Sequence, residues 1–139
     1  MIPVPALILF IIFNGLAALH LHWALGGKWG FDSAIPTKDG APLFKPGRAL
    51  TLLVAAGLFL GAILAMWRGL FPHVGPAWVP RAGIWTVAVL FALRAVGDFG
   101  FCGVFKRIRG TRFARNDSLI YSPLCIIISG LALWLALRF

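Results

Sequence analysis

Trp85-Thr-Val-Ala-Val-Leu-Phe-Ala-Leu-Arg94-Ala-Val-Gly-Asp98 is the stretch whose reading decides the fold. It starts as an apolar helical run and then sets an arginine and an aspartate four residues apart. Such residues share a helix face, so a continuing helix points Arg94 and Asp98 the same way. In hydrocarbon these charges are costly unless they are paired or turned towards protein or water. The segment therefore reads as one end of a membrane helix that carries a polar site. Beyond it Lys106-Arg-Ile-Arg109-Gly-Thr-Arg112-Phe-Ala-Arg115 is a basic run, followed by Asn116-Asp117-Ser118, and Tyr121-Ser122-Pro123 opens another apolar helix.

Composition agrees with a membrane setting. Sixty per cent of the 139 residues are hydrophobic and 12% are charged, which is far from the average of soluble domains. Long apolar runs between short polar loops make residues 1–139 a single all-α transmembrane domain. The formal charge of +9 flanks apolar spans, so anionic lipid headgroups are a simpler counter-charge than nucleic acid, at roughly 1 kcal/mol per Lys/Arg near the surface. A basic footprint alone is weak support for nucleic-acid binding, and no such partner is expected. Cys102 and Cys125 form no C-x-x-C pair, so no dithiol redox centre is read. The N-terminal apolar run lacks a positive leader and exceeds a signal-peptide core; it reads as a retained helix.

About twenty apolar residues cross a bilayer, and four spans are expected, at about 5–25, 48–67, 79–104 and 119–137. Gly26-Gly27 stops the first, and residues 28–48, with Pro36, Pro42 and Pro46, form a loop. The charge-free part of the third span, Ala82 to Leu93, covers only about 18 Å. Either Arg94 lies within the membrane or the helix reaches back towards Trp78. In the second span Gly57, Gly61 and Ala65 recur every fourth residue, a stripe that lets backbones approach closely. It serves packing inside the bundle or a homo-oligomer face.

Four spans put both termini on one side. Lys28, Lys38, Lys45, Arg48, Lys106, Arg107, Arg109, Arg112 and Arg115 flank or fill the first and third loops, against Arg68, Arg81 and Arg138 opposite. The excess of Lys/Arg in cytoplasmic loops then places both termini outside the cytoplasm.

At the basic end the polar residues gather, and His22, Arg48, Arg94, Asp98, Asp117 and Tyr121 are the expected ligand-binding set, with His20 and Ser122 nearby. Arg94 and Asp98 read as a pair. Because arginine before aspartate is the weaker order within a helix, each is expected to have a second partner: Asp117 or Tyr121 for Arg94, a first-helix histidine or Arg48 for Asp98. His20 and His22 lie roughly 200° apart around a helix, so no metal site is expected, and no cofactor motif is present. Phe105, Ile108 and Phe113 among the basic residues suit a segment lying on anionic headgroups, or the run only sets topology.

Residues 22–30 (HWALGGKWG), 45–48 (KPGR), 94–99 (RAVGDF), 105–117 (FKRIRGTRFARND) and 121–125 (YSPLC) resemble a family of small bacterial membrane proteins catalogued only as a domain of unknown function. The resemblance spans nearly the whole chain. It implies four transmembrane helices and a bacterial source and supplies no activity; the expected location is a bacterial inner membrane. The residues then favour a binding or accessory protein that engages an anionic lipid headgroup or an amphipathic small molecule. Two other readings stand beside it: a membrane enzyme using Asp98 or a helix-1 histidine as acid/base, and a small transporter working as an oligomer.

Overall fold

The computed structural model describes Met1 and residues 3–138. Four helices are long and apolar enough to cross a membrane: Val4–Ala24, Arg48–Leu70, Trp78–Val96 and a composite helix over Arg112–Arg138. We label the regular elements in chain order: α1 (Val4–Ala24), α2 (Phe31–Ala34), a two-residue hairpin of β1 (Thr37–Lys38) and β2 (Ala41–Pro42), α3 (Arg48–Leu70), α4 (Trp78–Val96), α5 (Arg112–Asn116), a π turn (Asp117–Tyr121) and α6 (Ser122–Arg138).

Two antiparallel pairs build the bundle, with α1 on α3 and α4 on α6. Small residues make the close packing possible. Ala6, Ala62, Ala65, Ala88, Ala132 and Ala136 are buried around Leu9, Phe13, Ile84, Ile128 and Leu135. A Cβ on Gly83 would stand 2.6 Å from Leu64 Cδ1, and one on Gly69 would stand 2.6 Å from Ala6 Cβ. Without a hydrophobic drive between helices in lipid, such contacts are what hold a membrane bundle together. Leu53, Phe59, Leu60, Leu90 and Leu93 are exposed, as befits side chains that face acyl chains.

The small-residue stripe of α3 divides. Gly61 and Ala65 are buried inside the bundle, Gly61 against the ring of Phe13. Gly57 is exposed and has open space above it.

Span limits differ from expectation where the backbone does something local. α4 reaches back to Trp78, and its 19 residues cover about 28 Å, close to the hydrocarbon thickness of about 30 Å. Arg94 therefore falls in its last turn. The helix ends at Val96 and not at 104, because Gly97 takes φ +84°. At Gly97 a Cβ would collide with the Cys102 carbonyl, and at Gly103 with that of Val96. Only glycine lets the chain fold back so tightly. The Val104 N–H then bonds the Ala95 carbonyl at 2.8 Å.

The last span starts at 112, seven residues before 119. Thr111 Oγ1 accepts the Ala114 N–H at 3.0 Å, an N-cap hidden inside the basic run. One π turn precedes Pro123, whose missing N–H and ring would disturb a regular ladder. Widening the preceding turn relieves that conflict.

Candidate functional site

Asp117 is the hub of the polar end. It sits in the π turn at 0% exposure. Arg94 Nη2 reaches its Oδ1 at 2.8 Å. Its Oδ2 accepts from the Gly103 N–H at 2.8 Å, Lys106 Nζ at 3.1 Å and Ser122 Oγ at 3.2 Å. Lys106 Nζ also donates to the Gly103 carbonyl at 3.1 Å and to Ser118 Oγ. One carboxylate thus ties α4, the fold-back loop, the π turn and α6 together. It is shared by two cations, so the cluster carries a net positive charge.

The local sequence explains each placement. Arg94 comes from the last turn of α4, and Gly103 is at φ +89°, which presents its N–H to the carboxylate. Lys106 follows the loop's return, with its N–H on the Gly103 carbonyl at 3.4 Å. The basic run was expected to lie on headgroups or merely to set topology; at Lys106, 2% exposed, it is buried and bonded within the protein. Composition could not single out this lysine, since it looks like its neighbours Arg107 and Arg109. The fold-back glycines were the available signal.

Asp98 is placed differently from expectation. Its Oδ1 accepts the backbone N–H groups of Gly100, Phe101 and Cys102 at 2.9, 2.8 and 3.1 Å. It makes no ion pair among the described residues, with Arg94, a histidine or Arg48. The helix breaks at Gly97, so the four-residue spacing no longer sets the two side chains on one face. Slight burial raises the Asp98 pKa, but the N–H groups of Cys102, Gly100 and Phe101 outweigh it and hold the carboxyl below its ordinary value.

Arg94 also borders an open cavity of about 370 Å³, lined mainly by α1, α3, α4 and α6. Tyr121, His20, Trp23 and Cys125 share its wall with apolar side chains such as Leu16, Leu58, Phe91 and Ile128. Arg94 Nη1 is buried and has no hydrogen-bond partner. Tyr121 donates its hydroxyl to the Ser33 carbonyl at 3.1 Å, which docks the short α2 over this end. His20 Nδ1 lies 2.8 Å from the Leu16 carbonyl. A carbonyl only accepts, so Nδ1 carries a proton.

Of the six expected residues the structure brings together Arg94, Asp117 and Tyr121. His22 is exposed, with its ring against Gly27. Arg48 is exposed at the start of α3. Neither lines the cavity. His20 takes the place expected of His22, and Lys106 was not in the expected set at all.

Four helices long and apolar enough to cross a membrane, with a buried ionic hub at one end, define an all-α bundle consistent with a membrane protein. Residues 13–132 match the family described as "Protein of unknown function (DUF3995)", and the chain belongs to that family. No curated protein and no solved structure matches the chain.

Proposed function

We propose that this is a binding or accessory protein of a bacterial inner membrane that holds an anionic amphiphile, a lipid or a lipid-like small molecule, in the Arg94 cavity. One observation carries the reading: Arg94 lines a largely apolar cavity of about 370 Å³ and keeps a buried Nη1 without a hydrogen-bond partner. A buried donor without a partner is costly, and an acceptor on a ligand head would satisfy it. Charge points the same way, because Arg94 and Lys106 share the single carboxylate of Asp117. An anionic head completes the balance, while an apolar tail lies along Leu58, Phe91 and Ile128. Pockets of this kind, apolar with a few convergent polar groups, are what small-molecule sites look like. With nine basic residues in the first and third loops, this end faces the cytoplasm by the positive-inside bias.

A second reading draws on His20. His20 lines the cavity that Arg94 borders, with Nδ1 engaged by the Leu16 carbonyl, so a membrane enzyme with His20 as base and Arg94 as anion holder fits the same walls. Asp98 suits that role less, since its carboxylate is occupied by three backbone N–H groups.

Mass spectrometry of molecules retained by protein purified in mild detergent tests both. An acidic amphiphile bound to the wild type and lost from Arg94→Met, while His20→Gln retains it, supports the binding reading. Equal retention by wild type and Arg94→Met rejects it. Chemical conversion of the retained molecule by wild type but not by His20→Gln moves the weight to the enzyme.

A further inference from the structure

Opposite the hub, the described residues at the other end of the bundle include basic side chains and no acidic one. All four acidic residues, Asp32, Asp39, Asp98 and Asp117, belong to the first loop or to the fold-back loop and π turn. The end formed by the close of α3, the start of α4 and the close of α6 instead holds Arg68, Arg81 and Arg138.

Arg68 is the residue that needs explaining. It lies in the last turn of α3 at 6% exposure. It forms no ion pair among the described residues, and its buried Nε has no hydrogen-bond partner. The charged residue that the helix register sets nearest to it on α4 is another cation, Arg81. The helices account for this proximity. Gly83 backs onto Leu64, α3 and α4 run antiparallel, and so Arg68, one turn beyond Leu64, comes under the first turn of α4. Pro80 is buried there, while Arg81 beside it is exposed. No side chain caps the start of α4, so the positive end of its dipole adds to the same field.

An arginine whose buried Nε lacks a partner, set beside a second cation, is unfavourable on its own. Arginine's planar fork suits the oxygens of a phosphate or carboxylate, and two such groups around one position suit a tetrahedral oxyanion. We propose that Arg68 and Arg81 together bind a phosphate-class oxyanion at the α3–α4 turn, with Arg68 holding it from within the bundle and Arg81 closing over it from the surface. The chemistry is shared by the phosphodiester of a phospholipid headgroup and by free phosphate. The site is separate from the Arg94 cavity, at the other end of the bundle.

The test uses the full chain in maltoside micelles with three probes: phosphatidylglycerol, diacylglycerol of the same acyl chains, and inorganic phosphate. Native mass spectrometry counts what each protein keeps, and thermal unfolding is followed in parallel. Wild type is expected to keep one more phosphatidylglycerol per chain than Arg68→Met and to show no such difference with diacylglycerol. Arg81→Gln is expected to lower occupancy of the same site. In micelles free of phosphate, Arg68→Met is expected to melt at or above the wild type, because it removes an unpaired buried cation. Inorganic phosphate kept in the same arginine-dependent way without lipid identifies free oxyanion as the source; retention confined to phosphatidylglycerol identifies the headgroup. Unchanged retention of both probes in Arg68→Met overturns the proposal, as does a melting temperature below the wild type in phosphate-free micelles. Should Arg68→Met not fold, unchanged retention in Arg81→Gln overturns it by itself.

Discussion

Lys106 Nζ stands 3.1 Å from Asp117 Oδ2, and both side chains are almost entirely buried. A lysine from a basic loop and an aspartate from the next helical segment thus form an ion pair shielded from water. Arg94 completes the group from α4. Removing one member of such a group strands the others, and breaking a buried pair costs about 3–5 kcal/mol. Asp117→Asn is therefore expected to lower stability by about that amount, since it leaves two cations without a full counter-charge. The Arg94→Met/Lys106→Met/Asp117→Leu triple variant is expected to recover most of the loss. Reversible unfolding in detergent measures both. A triple variant no more stable than Asp117→Asn would show that the group is held by something other than its own charges.

Gly61 and Gly57 separate two roles for one stripe. A Cβ at Gly61 would come within 3.2 Å of the Phe13 ring, and a leucine there must push α1 away from α3. Gly61→Leu is expected to lose about 1–3 kcal/mol, the usual range for overpacking. Gly57→Leu enters open space and is expected to leave unfolding of the single chain unchanged. Cross-linking in membranes reads the other role: a wild-type dimer lost in Gly57→Leu makes that exposed face an interface between copies.

The Asp98 carboxyl is held below its ordinary value of 3.8 by the loop N–H groups it accepts. The folded chain therefore takes up its proton at lower pH than the unfolded chain does. Stability from this contact is present in full above pH 3.8 and is lost as pH falls through the depressed folded value. The expected signature is a stability gap between wild type and Asp98→Asn that stays constant above pH 3.8 and closes below it. Protection of the Gly100, Phe101 and Cys102 amides against hydrogen exchange, relative to the unfolded chain, should fall in the same acid range. A gap that instead opens on acidification would contradict the assigned hydrogen bonds.

Charge gives an expectation for sidedness. With nine basic residues in the first and third loops against Arg68, Arg81 and Arg138 opposite, alkaline phosphatase fused after residue 139 is expected to be active. A fluorescent protein that matures only in the cytoplasm should stay dark there. Bright fluorescence at that end would invert the topology and move the Asp117 hub to the outer face.

Much of this architecture is written in the order of residues. Runs of about twenty apolar residues can satisfy their backbone in lipid only as helices, so the four spans were legible. The join of Arg94 to Asp117 was legible only in part: a cation at membrane depth needs an anion, and Asp117 was one of two second partners expected beside the Asp98 pair that does not form. Placement of Asp98, Lys106 and the histidines was not. It turned on Gly97 and Gly103, where the missing Cβ lets two stretches of backbone touch. That fold-back takes Asp98 off the helix face and delivers Lys106 into the interior. Likewise, His20 and not His22 borders the cavity because packing of α1 on α3 fixes the helix rotation, which a helix that is apolar nearly all round does not encode. Sequence determined that charges must meet at one end of a membrane bundle; which charges meet was decided by backbone contacts between residues distant from them.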